Sequence, residues 1–260
     1  MPPNARFRVA SVTKMFVATV VLQLVAEGKL RLDEPIGRVL VGQVFGAGTV
    51  TLRELLNHTS GFYDGGPLVP VPGTFHYDNT NYALLGEVVE AVTGMTVRQA
   101  LVLRVFRPLR LAGTLWPTSA TPPRLARGYS PRGADVTPLA PQELSSADAI
   151  VSTADDLRRF VTALVSGRLL APEQLAEMEA AVDVGKPYRP IDDRYGLGLM
   201  RYESTCGSIW GHRGRIAGYT TFAFASPFGP RSVVVLLNVG RVSDAAVVRL
   251  NSLVFAALCA

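Results

Sequence analysis

The sequence predicts an α+β fold: an antiparallel β-sheet flanked by helices, beside an all-helical lobe. Three observations carry this. Helical patterns cluster in the middle of the chain. Strand-like runs crowd its C-terminal end. Turn residues separate those runs closely enough for antiparallel neighbours. One domain is expected over residues 1–260, with the helical lobe spanning roughly 30–180 and the sheet lobe roughly 195–260, packed on a first helix.

Ser11-Val12-Thr13-Lys14 opens that first helix. Met15 to Ala26 is apolar on nearly every face, which predicts burial all round. The run is shorter than the about 20 apolar residues that span a bilayer. Gly28 suits the left-handed stop position, and Leu30, Leu32 and Pro35-Ile36 form a packed connector. Thr51 caps a short helix, Leu52 to Asn57, with Glu54 placed for a capping box. His58-Thr59-Ser60-Gly61 turns the chain, and Phe62 to Thr74, rich in Gly and Pro, is an exposed loop. Asn79 to Gly94 reads as a helix, with Asn79 or Thr80 as N-cap, an apolar stripe from Leu84 to Val92, and Gly94 as its stop. Thr96 caps a helix over Val97 to Phe106. Trp116 to about Ser145 is loop with short strands. Ser152 or Thr153 caps a helix over Asp155 to Ser166, with Asp155 and Asp156 in its first turn, where the dipole favours them. Pro172 starts a helix over Glu173 to Ala181. Four strands follow: Gly196 to Tyr202, Ile209 to Gly214, Tyr219 to Ala225, and the β-branched run Ser232 to Asn238. Cys206-Gly207, Gly218 and Pro227 to Pro230 turn between them, and a helix over Asp244 to Leu258 packs on the sheet.

The 260 residues are 48% apolar, enough for one sizeable core. The net charge of +5 comes from scattered arginines, which argues against a nucleic-acid stripe. No segment reads as transmembrane. The first ten residues carry no apolar h-region, so no signal peptide is expected in this chain. Cys206 and Cys259 permit one disulfide or two buried thiols, and spacing leaves both open. A disulfide would imply an oxidising compartment. His58, His76 and His212 are scattered and no H-E-x-x-H exists, so neither metal nor cofactor is expected.

Three short stretches carry the chemistry. A serine hydroxyl needs a base within reach, and residues three apart on a helix are neighbours. Ser11 is therefore a candidate nucleophile and Lys14 part of its base, with burial lowering the lysine pKa. A serine ahead of a helix can equally be a plain cap. Tyr77-Asp78-Asn79 offers a phenol for proton transfer and, in Asn79, both a donor and an acceptor for Lys14 and a substrate amide. Trp210 to Arg215 is the third stretch. Gly214 within a strand suggests close approach by another backbone or a ligand. An edge strand beside Ser11 could complete an oxyanion hole, and His212 could hydrogen-bond Tyr77.

As a set these residues resemble the serine beta-lactamase and penicillin-recognising family, on its class C and DD-carboxypeptidase side. That family brings together S-x-x-K, Y-x-N and a K/H-x-G strand, here Ser11 to Lys14, Tyr77 to Asn79 and His212 to Gly214. Phe7 to Lys14, Leu55 to Gly61, Tyr77 to Tyr82, Ile150 to Leu157 and Gly211 to Gly214 also match the family's wording, in its order. The resemblance implies an acyl-enzyme on Ser11, proton transfer shared by Lys14 and Tyr77, and orientation of Lys14 and the substrate by Asn79. It implies a substrate-flanking strand at His212, Arg213 and Gly214, and an oxyanion hole from the N–H groups of Ser11 and Arg215. The histidine form of the third motif, with its flanking cysteines, is most like the secreted DD-carboxypeptidases and supports pairing of Cys206 with Cys259. The implied partner is a D-alanyl peptide, a β-lactam or a small ester.

Two departures follow. Family members carry a helix and two strands ahead of S-x-x-K, whereas ten residues precede Ser11 here. The expectation is an N-terminally shortened chain with an uncovered sheet edge. Arg213 and Arg215 replace the usual small hydroxyl residues of the third motif, which leaves peptidase, lactamase, esterase and a non-catalytic binding protein as rival readings.

Overall fold

A computed structural model describes residues 2, 4–42, 48–64, 66, 72–138, 144–185, 194–227, 231–240 and 242–260, with Asp244 described by its backbone alone. Parts of the expected 62–74 loop and of the Pro227–Pro230 turn lie outside the described residues. The elements in chain order are β1 (Phe7–Arg8), α1 (Thr13–Ala26), α2 (Leu52–Leu56), α3 (Asn79–Thr93), α4 (Val97–Leu101), β2 (Val151–Ser152), α5 (Ala154–Val165), α6 (Pro172–Glu179), β3 (Val182–Asp183), β4 (Arg194–Tyr195), β5 (Met200–Ser204), β6 (Gly207–Ile216), β7 (Tyr219–Ala225), β8 (Ser232–Leu237) and α7 (Asp244–Cys259).

The α+β expectation holds. Strands β3 to β8 form one antiparallel sheet in sequence order. Helix α5 packs against β7 and β8 on one face, and Val254 and Leu258 of α7 pack on Tyr202, Ile209, Phe222 and Phe224 on the other. β7, covered on both sides, is buried at every residue, which suits its largely apolar and aromatic run; of its two buried threonines, Thr220 donates its hydroxyl to the Val239 carbonyl at 2.8 Å. Helix α1 runs through the main core, and its residues from Thr13 to Leu22 are all buried. The Phe16 ring stacks on Phe160 with centroids 3.5 Å apart.

The punctuation explains the boundaries. Gly28 and Gly94 take the left-handed conformation at helix ends. Thr51 with Glu54, and Thr96 with Gln99, form capping boxes. After Leu101 the helix loosens into a π-helical turn, Val102–Phe106. Asp78 caps α3, where Asn79 or Thr80 was expected: extended backbone lets its carboxylate accept from the Thr80 N–H at 2.8 Å. The strand expected over Gly196 to Tyr202 starts only at Met200, in β5, and β4 ends before it at Tyr195; between them Gly198 takes a positive φ, and a side chain on it would meet Ala18, Tyr82 and the Lys14 carbonyl. The sequence pattern gave no sign of the two-residue ladder of β1 with β2, which leads the chain into Ser11.

Candidate active site

Ser11 lies in a tight 3-10 turn, Ala10–Val12, one step ahead of α1. Its expected helical neighbour relation to Lys14 survives this, but Ser11 is no cap: α1 begins after Val12 without a side-chain cap. Ala10, with φ of 49°, turns the chain sharply into the serine. Lys14 is wholly buried, and its Nζ lies 3.2 Å from Ser11 Oγ, 2.7 Å from Asn79 Oδ1 and 3.2 Å from the Ala147 carbonyl. Burial lowers its pKa to about 7, partly offset by the more distant Asp148 and Asp78 carboxylates. The valence count is informative. A neutral amine has two N–H donors and one lone pair. Two of the three surrounding oxygens, those of Asn79 and Ala147, can only accept. Both donors are thereby engaged, and the lone pair is left for the serine hydroxyl.

The second stretch reaches the site because Asp78, rather than Asn79, caps α3. With the cap supplied by its neighbour, the Asn79 side chain is free to meet Lys14. The Tyr77 ring lies beneath Lys14, with Nζ 4.9 Å from the ring centroid. His58 holds this segment in place. Its carbonyl accepts from the His76 N–H at 2.8 Å, its Nδ1 from the Asp78 N–H at 3.4 Å, and its ring packs on Tyr77 at 4.3 Å between centroids. It adopts a left-handed φ of 61° to do so. Burial, then the Lys14 charge, pushes its pKa well below the usual imidazole range. In the sequence, His58 shows only as part of a turn. A histidine between Asn57 and Thr59, ahead of Gly61, was the available signal.

The third stretch lies on β6. The Val9 carbonyl occupies the space a side chain on Gly214 would need, so the expected close backbone approach is the one to the Ser11 turn itself. Ile216 pairs with Tyr219 across a two-residue turn. Even-numbered residues of β6 therefore direct their backbone groups toward β7, and odd-numbered residues toward the opposite edge. β5 pairs along that edge only as far as Gly211. Beyond it, the backbone of Arg213 and Arg215 faces a cavity of about 330 Å³ that is also lined by Ser11, Tyr77, Asn79, Met200, Phe222 and Val247.

His212 departs from expectation. It is fully buried, and both ring nitrogens are engaged away from Tyr77: Nε2 with the Tyr195 hydroxyl at 3.0 Å and Nδ1 with the Arg213 carbonyl at 2.5 Å. The Tyr77 and His212 rings are 6.1 Å apart between centroids. Burial, with the Lys14 charge adding to it, lowers the His212 pKa to about 3. Arg213 is half-buried, its guanidinium 6.0 Å from the Tyr202 ring centroid, and Arg215 is exposed. Cys206 and Cys259 form a disulfide that ties the end of α7 to the β5–β6 turn.

An α+β sandwich whose buried lysine joins a serine, an asparagine and a tyrosine at one cleft defines a class. This chain belongs to the beta-lactamase family, whose description it matches over residues 1–255. It is 27% identical to the putative penicillin-binding protein PbpX of Bacillus subtilis (strain 168), across 91% of this chain and 63% of that protein. It is 29% identical to a putative D-alanyl-D-alanine carboxypeptidase of Escherichia coli (strain K12), across 51% of this chain and 37% of that one. Both relatives are thus spanned over less than two thirds of their length. Among solved structures, the D-stereospecific amidohydrolase from Streptomyces sp. superposes with a TM-score of 0.83 at 36% identity, covering 91% of this chain and 83% of the other.

Proposed function

We propose that this protein is a serine hydrolase that cleaves amide bonds through an acyl-enzyme on Ser11, with a D-alanyl-D-alanine-type peptide as its preferred acyl donor. The observation that carries the reading is the setting of Lys14: a buried amine with both donors engaged and its lone pair left for the Ser11 hydroxyl. Ser11 Oγ attacks the substrate carbonyl carbon as its proton passes to Lys14 Nζ. The oxyanion is held by the N–H groups of Ser11 and Arg215. Collapse breaks the C–N bond, and the leaving amine takes a proton relayed from Lys14 through Tyr77. Water then attacks the ester, gives up its proton along the same route, and releases Ser11.

Arg213 and Arg215 line the cleft, and no Asp or Glu does among the described residues. That charge balance favours a substrate ending in a carboxylate over an amino-acid amide carrying a free ammonium. The disulfide, and likeness to penicillin-binding proteins, support action outside the cytoplasm. The test is incubation with a fluorescent penicillin followed by intact-mass analysis, then turnover of a D-Ala-D-Ala peptide, nitrocefin and p-nitrophenyl acetate. A stable adduct on Ser11 with peptide release is expected. Absence of any adduct in folded protein overturns the reading in favour of a binding protein.

A further inference from the structure

We infer that Tyr195 is a positioning residue: through His212 it caps the Arg213 carbonyl, and so presents the β6 edge to the leaving end of the substrate as a donor. The inference rests on the functional reading above for its substrate, but its structural half stands alone.

The chain of reasoning begins at the Arg213 carbonyl, which can only accept. Its partner, His212 Nδ1, must therefore carry a proton. His212 is enclosed beside Lys14 and stays neutral, so its Nε2 holds a lone pair. The Tyr195 hydroxyl, 3.0 Å away, must then be the donor. One phenol thus selects the histidine tautomer, and the tautomer decides what the Arg213 carbonyl meets.

Tyr195 is built for this. Its backbone pairs with Val182 on one side and Met200 on the other. Its ring is buried among His58, Phe75 and Tyr77, with centroids 5.1, 5.7 and 5.9 Å away. The neighbouring Tyr82 hydroxyl spends its own proton on the Leu56 carbonyl at 2.9 Å and so competes with His212 for the single Tyr195 proton; the Arg213 carbonyl, by fixing the Nδ1–H tautomer, commits that proton to His212.

The consequence reaches the cleft through the strand register. Arg213 is odd-numbered and lies past the last residue that β5 pairs, so its backbone faces the cavity. Left uncapped, its carbonyl would add an acceptor where a substrate carboxylate or carbonyl oxygen has to lie. With His212 donating to it, that acceptor is satisfied internally, and the edge favours an oxygen-bearing leaving group.

The test combines a spectroscopic and a kinetic arm. Two-bond ¹⁵N–¹H NMR of the imidazole reads the tautomer without turnover. His212 is expected as the Nδ1–H form in the unaltered protein and as a mixture or the Nε2–H form in Tyr195→Phe. For a D-Ala-D-Ala peptide, Tyr195→Phe is expected to raise KM roughly 3–10-fold, the loss of about one hydrogen bond, with kcat changed less than about twofold. The same peptide with its C-terminal carboxylate amidated should feel a smaller effect. In a His212→Asn background, where the asparagine amide can donate to Arg213 without help, removing the Tyr195 hydroxyl should leave KM unchanged. An Nε2–H tautomer in the unaltered protein, or an equal KM penalty in both backgrounds, overturns the inference. If Ser11 fails to acylate at all, the substrate reading falls, while the tautomer measurement still decides the clamp.

Discussion

The carbonyl of Val9 fills the space into which a side chain on Gly214 would project. The turn that carries Ser11 and strand β6 are thus in backbone contact, and their spacing is set by the absence of one Cβ. Gly214→Ala must separate them. The expected result is a loss of about 1–3 kcal/mol of stability from overpacking, with acylation reduced at least as strongly as folding. Thermal melting and penicillin acylation rates check it. An alanine variant that melts and acylates normally would show the contact to be loose.

Lys14 supplies a pH signature. With its pKa near 7, kcat/KM should rise through about pH 7 as the amine loses its proton and becomes a base. Its effect on stability has the same sign. Between about pH 7 and 10.5 the unfolded chain holds a proton that the folded chain has released, so this group's contribution to stability grows with pH across that window. Lys14→Ala and Tyr77→Phe should each cut turnover roughly 10²–10⁴-fold with the fold retained. A pH–rate profile, with circular dichroism on both variants, reads all of this.

Asn79→Asp converts a neutral acceptor 2.7 Å from Lys14 Nζ into an anion. The ammonium form gains, so the ascending limb of the pH profile should move upward by about 1–3 units and activity at pH 7 should fall. A limb that stays in place would mean that a group other than Lys14 is being titrated.

Breaking the Cys206–Cys259 disulfide releases α7, whose Val247 lines the cleft. The two cysteines are 53 residues apart, and the chain-entropy account gives about 4 kcal/mol for a loop of that size. Reduction, or Cys206→Ser, should lower the melting temperature and raise KM more than it lowers kcat. Denaturant melts with and without a reductant, beside Michaelis curves, test both.

The sequence was most informative where a residue acts locally. Gly28, Gly94, Thr51 and Thr96 end and begin helices as their chemistry requires, and the order of the last four strands follows from alternating runs and turn residues. The encounter of Lys14 with Asn79 was legible through the family resemblance. The Tyr195–His212 pair was not, because nothing in a linear chain says which of several phenols a buried imidazole will meet. Nor was His58 as a support for Tyr77: its function lies in a positive φ and two hydrogen bonds to residues about twenty positions away. The β1–β2 ladder, two residues long, is too brief to leave a periodicity.

Helix α1 is enclosed on every side through its first ten residues, and Lys14, the proposed base, belongs to that enclosed run. Chemistry and folding therefore share one rigid axle, and a change that shifts the interior also shifts the base. New substrate preferences have little room to arise there. They would have to come from the cleft's outer walls, the arginine-bearing rim and the first turns of α7, which can be rebuilt while the proton-transfer machinery stays as it is.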